Sequence, residues 1–563
     1  VAARKGLAIA PSVPALLYCA MATVFLIAPL AVLALRSVSA DGGGLTLDYY
    51  ARYLASPSLR QSLANTGLLG LATLAIVLPL AFLFAYGLER TSLRLKGPLA
   101  AIAMTPLLVP SLLPAMGLVY LFGRQGLLTP MLGGHVIYGA QGVLLAEVVA
   151  AFPHAVIMLR TALSAADGRL YEQARILGAS PWRAFLRITL PAARYGLVSA
   201  GMVVFTRAIT DIGAPAVIGG DFNVLALDVY KQVLGQQNFE MGAVVAMLLL
   251  TPSALMMVLE RLALRRQAAM ISGKSTAYHP EPSRARDGAF LALCGLIALA
   301  LVGLLAVCQL AALANLWPYD LSLSLQSYDL GRYDGGWSSL LNSIVLAAVT
   351  AVVGAAVAFV GAYVAQRTRA APALRGALSL AALLPAAAPG LALGLAYALF
   401  FDDPANPFHF LYGSFAILVI ASVVHFYTVA HLTSVSALKA LDPEIEPAAQ
   451  VLGRGVGAVF LRVIAPMSAV TLAEIALYLF VSAMTTVSVV VFLYPADFKL
   501  ASIAVLNMDD AGDMGPAAAM GMLIFYVNLA VRLVGQGAIG WVRRRSEIPA
   551  PTPESEISKL QAA

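Results

Sequence analysis

Twelve stretches of this chain are each long and apolar enough to cross a lipid bilayer, and that requirement dominates every other constraint on its fold. They run roughly over residues 13–35, 62–87, 98–122, 139–160, 194–214, 240–260, 289–312, 339–365, 377–401, 411–433, 467–492 and 516–539. About 20 apolar residues in an α-helix span a hydrocarbon core about 30 Å thick. No water reaches the backbone there, so each amide must be satisfied within its own helix. The expected class is an all-α polytopic membrane protein with about 12 transmembrane helices, and the bilayer is its first expected partner. Composition agrees: 60% of the 563 residues are hydrophobic and only 12% are charged, more apolar than a soluble fold needs. The first stretch is too long for a cleavable leader and is expected to remain a span.

The formal net charge of +7 is distributed along the membrane normal and does not suggest a nucleic-acid partner. If every span reverses direction and Arg4 and Lys5 lie inside, 27 of the 36 basic residues fall in inside segments. Cytoplasmic loops carry that excess of Lys and Arg. Both termini are therefore expected in the cytoplasm.

The chain repeats itself. Asn65 matches Asn342, Ala81-Phe82 matches Ala358-Phe359, Ala85-Tyr86 matches Ala362-Tyr363, and Arg90 matches Arg367, all at an offset of 277. The third span of each half carries Pro-x-x-x-Pro, at Pro106/Pro110 and Pro385/Pro389. Similarity on this scale marks a duplicated folding unit. Six spans per unit keep both copies in the same orientation, so the repeat is parallel about an axis along the membrane normal. The expected divisions are a first half over 1–262, a cytoplasmic linker over 263–288, a second half over 289–545 and a disordered tail over 546–563. The linker's Arg, Ser, Pro and Lys content reads as a flexible tether.

Each half also carries one loop pattern on the inside. The first is Glu172-Gln173-Ala174-Arg175-Ile176-Leu177-Gly178, ending at Pro191, within 164–192. The second is Pro447-Ala448-Ala449-Gln450-Val451-Leu452-Gly453, ending at Pro466, within 438–467. Gly precedes Pro by 13 positions in both. A sharp turn between two short helices favours Gly, which alone adopts positive φ cheaply. Two equivalent turns on one face suit two equivalent partners. The second copy departs from the first at one point: Pro447 holds the acidic position and Glu446 stands one residue earlier.

This pattern resembles the Glu-Ala-Ala signature of binding-protein-dependent ABC importer permeases. Residues 10–545 as a whole resemble the fused, two-half members of that family, those of 2-aminoethylphosphonate and ferric-iron importers. The stretches Thr210-Asp211-Ile212-Gly213-Ala214-Pro215 and Ala501-Ser502-Ile503-Ala504-Val505-Leu506-Asn507 contribute to the likeness. The resemblance implies two MetI-like permease halves in a bacterial inner membrane. It implies two ABC ATPase subunits docking at Glu172, Ala174, Gly178 and Pro191 and at Glu446, Ala449, Gly453 and Pro466. It also implies a periplasmic solute-binding protein that delivers a small molecule, 2-aminoethylphosphonate or alternatively ferric iron. ATP would be bound by the partners, and this chain would hold no cofactor of its own.

Charged groups inside spans are costly and call for a reason. Arg207 and Asp211 stand at i, i+4 on the fifth span, within pairing reach on a continuous helix. They read either as lining of a solute path or as a structural pair. Glu147 and Glu474 are similar candidates. These four are also the only candidate coupling sites for the rival class, an ion-coupled secondary transporter. Gly219, Gly220, Asp221 and Asn223 form an outside loop that reads as a gate or binding-protein contact, with simple turn chemistry as the alternative. His154, His425 and His431 read as helix-packing groups. Cys19, Cys294 and Cys308 lack metal-ligand or disulfide spacing. Gly273-Lys274-Ser275 echoes a phosphate loop, but Ala268 stands where its first Gly belongs. No metal site, catalytic constellation or nucleotide site is expected, which makes the chain a transport subunit without its own ATPase.

Overall fold

The computed structural model describes residues 13–40, 44–267, 276, 278–333, 335–367 and 372–546. The tail beyond residue 546 and Gly273-Lys274-Ser275 lie outside the described residues. The fold is all-helical apart from a short hairpin, in which Ala314–Leu316 pairs antiparallel with Asp320–Leu323. Among the described residues nine helices are long and apolar enough to cross a bilayer. Two more candidates are bent pairs: Ala373–Ala387 with Gly390–Phe401 at 109°, and Val456–Met467 with Ala469–Thr485 at 75°.

The expectation of twelve simple spans is thus corrected at the third span of each half. In the first half it is broken into Lys96–Ala103, a tight turn at Thr105–Leu108, and Leu112–Phe122. The cause is the repeated Pro-x-x-x-Pro. Proline lacks an N–H and its ring pushes the preceding residue out of the helical region. Val109, before Pro110, is extended at φ −123°, ψ 152°. Ala388, before Pro389, is extended at φ −87°, ψ 112°.

The fifth and eleventh spans also end earlier than expected, at Thr210 and Thr485. The next residues, Asp211 and Thr486, take nearly identical extended conformations, with ψ of 138° and 139°. The duplication therefore extends to the places where helices stop.

The two halves of the sequence are interlocked in space. The first span of each half sits between the last span of its own half and the third span of the other. Val13–Ser37 packs along Gly390–Phe401, and Arg284–Leu313 packs along Leu112–Phe122. Tyr18 Oη donates to the Val357 carbonyl at 2.8 Å, and Tyr397 Oη donates to the Phe25 carbonyl. Cys308 Sγ donates to the Leu113 carbonyl at 3.5 Å. Small residues allow these approaches. A β-carbon on Gly361 would lie 2.3 Å from both Tyr18 Oη and Tyr427 Oη.

Gly361→Ala should therefore push the first span off the second half and cost about 1–3 kcal/mol, the usual range for overpacking. Thermal unfolding in detergent reads the loss. Gly295→Ala, whose new β-carbon would meet nothing within 4 Å, should leave the midpoint in place.

Candidate functional site

The two repeated loops fold into the same helix–turn–helix at the same end of the bundle. In the first, Asp167 caps Gly168–Ile176 by accepting the Arg169 amide at 3.1 Å. Gly178 then turns the chain at φ +70°. The Ala179 amide reaches back to the Ala174 carbonyl at 2.9 Å, and the Gly178 amide to Arg175 at 2.9 Å. In the second, Gly453 has the same φ of +70° after Ile445–Val451, and the Arg454 amide reaches Ala449 at 2.9 Å. A left-handed residue with a long back-bond is how a helix ends on Gly. Ala174 and Ala449 thus serve the turn through their carbonyl oxygens.

Pro191 and Pro466 shape the second helix of each loop. Proline cannot donate to the residue four back, and its ring crowds that carbonyl. The preceding turn widens in both copies, over Phe185–Thr189 and Phe460–Ile464, with bonds from Leu190 to Phe185 and from Ala465 to Phe460. Such widened turns accommodate the gap in a helix. Beyond this point the copies differ. Pro181–Thr210 continues as one span, whereas the second copy bends by 75° around Ser468.

An arginine ties each loop to the bundle, Arg90 buried and Arg367 largely so. Arg367 donates to the Leu438 and Leu441 carbonyls at 2.6 and 2.9 Å and pairs with Glu446 at 3.1 Å. Arg90 makes the matching bond to the Leu163 carbonyl at 2.7 Å. Tyr171 stands where the second copy has Glu446, and Arg90 lies over its ring at 4.7 Å. Tyr171 Oη also meets Thr189 Oγ1 at 2.9 Å. Glu172 is exposed and makes no ion pair among the described residues. The expected departure in the second copy is real, but its sense is reversed: Glu446 is the anchoring acid, and the first copy anchors through an aromatic ring. Around each turn lie exposed apolar side chains, Ile176, Leu177 and Trp182 in one loop and Val451, Leu452 and Leu461 in the other.

In the spans, the i, i+4 reading of Arg207 and Asp211 fails because the helix has ended by Asp211. The Asp211 carboxylate instead caps the next helix, accepting the Ala214 amide at 3.0 Å. Glu147 is buried within electrostatic reach of the Asp211 carboxylate, with its Oε1 left without a partner. Arg207 lies within electrostatic reach of Glu147, His154, His425 and Tyr478. Those residues come from both halves. Glu474 is one turn before Tyr478 on Ala469–Thr485 and is exposed. His431 packs as expected, its Nδ1 3.0 Å from Tyr427 Oη.

The loop at Gly219, Gly220, Asp221 and Asn223, expected on the outside, is pinned in place. Gly220 takes φ +53°. Asn65 Nδ2 donates to the Asn223 carbonyl at 2.9 Å, Lys231 Nζ donates to Asn223 Oδ1 at 2.6 Å, and Thr66 Oγ1 accepts the Leu225 amide at 2.8 Å. Asp221 is exposed beside them. The second half repeats the clamp: Asn342 donates to the Lys499 carbonyl at 3.1 Å, and Ser343 accepts the Ala501 amide at 2.7 Å. Beneath the first clamp lies Asp228. Burial pushes its carboxyl up to about 6, against the opposing effects of the Ser62 hydrogen bond and the Lys231 charge. Among the described residues no group of three His, Cys, Asp or Glu stands ready to hold a metal ion.

Residues 77–269 match the family model described as binding-protein-dependent transport system inner membrane component. The chain is 25% identical over 462 residues to the ferric transport system permease protein FbpB of Actinobacillus pleuropneumoniae, covering 78% of this chain and 66% of that protein. It is 23% identical over 477 residues to the putative ferric transport system permease protein FbpB 1 of Haemophilus influenzae, covering 81% and 72%. It is 31% identical over 153 residues to the molybdenum transport system permease protein ModB of Azotobacter vinelandii, covering 26% and 68%. The match thus spans just under two thirds of the Actinobacillus protein's length.

Two outcomes follow from this geometry. Glu446→Gln should strand the mostly buried Arg367 charge and cost about 1–3 kcal/mol in detergent unfolding, with most of the loss recovered in Arg367→Met/Glu446→Gln. The folded chain holds the Asp228 proton more tightly than the unfolded chain does. Its contribution to stability is complete below pH about 4 and is lost as pH rises through about 6. Asp228→Asn should flatten that slope and raise stability at pH 7 by about 3 kcal/mol, read from unfolding midpoints across that range.

Proposed function

Because the chain belongs to the family of binding-protein-dependent transport system inner membrane components, we propose that it is the conduit of an ATP-driven importer, worked by two ATPase subunits docked at its paired loops. It is a multi-pass ABC transport permease of the inner membrane and not a catalytic subunit. Family membership removes the ion-coupled secondary transporter as a rival. The observation that carries the docking reading is the pair of Gly turns, alike in φ and in back-bond, each ringed by exposed apolar side chains. The excess of basic residues on that side supports a cytoplasmic position for the loops and both termini.

The geometry supplies a route for the stroke. Pro181–Thr210 runs without a break from the first loop to the Asp211 cap. At 1.5 Å per residue such a rod is about 45 Å long. Closure of the ATPase pair would draw the loops together and shift Arg207, Asp211 and Glu147 between the halves. The pinned outside loop at Gly219, Gly220, Asp221 and Asn223 would form the rim that receives a periplasmic binding protein. For the solute, relatives named as ferric transport permeases align over about four fifths of the chain. Their names favour ferric iron over 2-aminoethylphosphonate.

Reconstituted with its ATPase and binding protein, the chain should accumulate radiolabelled ferric iron only when ATP is supplied. Accumulation of 2-aminoethylphosphonate in its place would reverse the choice of solute. Gly178→Pro fixes φ near −65°, which the turn cannot use. It should abolish uptake while the protein still inserts in the membrane, and transport at the native rate would sink loop docking.

A further inference from the structure

The loop anchors leave one imbalance. Arg90 is buried, and burying a guanidinium is costly without a compensating partner. Arg367 has the carboxylate of Glu446. Arg90 has a carbonyl and the Tyr171 ring, and its Nε finds no hydrogen-bond partner. The structure places a second ring there. Tyr278, from the segment joining the two halves, covers Arg90 at 4.6 Å and meets the Tyr171 ring at 4.6 Å. The guanidinium is thus attended by two aromatic rings, each an attractive site for a cation in a dry setting.

The same segment holds the loop helix at both ends. At its start, the Gly168 amide donates to the Thr276 carbonyl at 2.8 Å, while the Thr276 amide and hydroxyl donate to Asp167 Oδ1 at 3.2 and 3.1 Å. Amide bonds from Arg169 and Thr276 hold the Asp167 carboxyl below the usual carboxylate range. At its end, Glu281 pairs with Arg175. Between them Ser92 Oγ donates to the Pro280 carbonyl at 3.0 Å. The tether expected to be flexible is docked on the loop at Thr276, Tyr278, Pro280 and Glu281.

Two of these contacts offset a difference between the two loops. Tyr278 stabilises the arginine that lacks the acid of the second copy. Glu281 neutralises Arg175, whose counterpart in the second copy is the uncharged Gln450. We propose that Thr276, Tyr278 and Glu281 form a brace that makes the first loop equivalent to the second, so that both accept two copies of one ATPase chain. This rests on the importer reading above and adds to it the identity of the two partners and the role of the joining segment.

The test uses the full chain with Cys19, Cys294 and Cys308 replaced by Ala, purified with the ATPase that accompanies it. A single Leu177→Cys or Leu452→Cys carries a short bifunctional cross-linker, and mass spectrometry identifies the captured peptide. Both positions should capture the same peptide of one ATPase chain. Adding Tyr278→Ala with Glu281→Ala should cut capture at Leu177→Cys at least fivefold and spare Leu452→Cys. Tyr278→Phe with Glu281 intact should restore it. Equal loss at both positions, no loss at Leu177→Cys, or capture of two different ATPase chains would each overturn the brace. If neither position captures an ATPase even with Tyr278 and Glu281 in place, the importer reading itself fails.

Discussion

A positive charge largely withdrawn from solvent at the root of each loop is the constraint on which both repeated loops depend. Arg90 and Arg367 end the second span of each half, and each reaches a carbonyl on the fourth span just before the loop begins. A guanidinium in that position must be satisfied by whatever the loop supplies, because solvent cannot do it. The loops have solved the problem differently, one with a carboxylate and one with aromatic rings. The turn beyond, however, is the same in both, down to its φ of +70°. Shape was kept while the chemistry beneath it diverged.

Much of this was legible in the residues. Apolar length located the spans, and the repeated Gly and Pro marked the turn and the start of the following helix. Pro106/Pro110 and Pro385/Pro389 were visible as a motif, and their effect on the backbone follows from the missing N–H and the restriction on the preceding residue. Counting apolar stretches did not account for it, because hydropathy measures where a chain is content to lie and not whether its helix is continuous.

What stayed hidden involved partners distant in sequence. Asp211 looked paired with Arg207 because spacing presumes a helix. No local signal says that the helix stops at Thr210 and that the carboxylate turns to cap the next one. Asn65 and Asn342 were visible as a match without a reason. The reason lies 158 and 157 residues away, in the loop carbonyls of Asn223 and Lys499 that they hold. The family pattern points to Glu172, whereas the contact with the bundle is made one residue earlier, by Tyr171.

The exchange of first spans has a mechanical outcome. Val13–Ser37 lies against the third span of the second half, and Arg284–Leu313 lies against that of the first. Each half is hooked by an arm of the other, like two clasped hands. Such a pair cannot be drawn apart without stripping apolar helix from its seat. It also follows that either half, cut free of its neighbour, would leave one side of its own first helix bare.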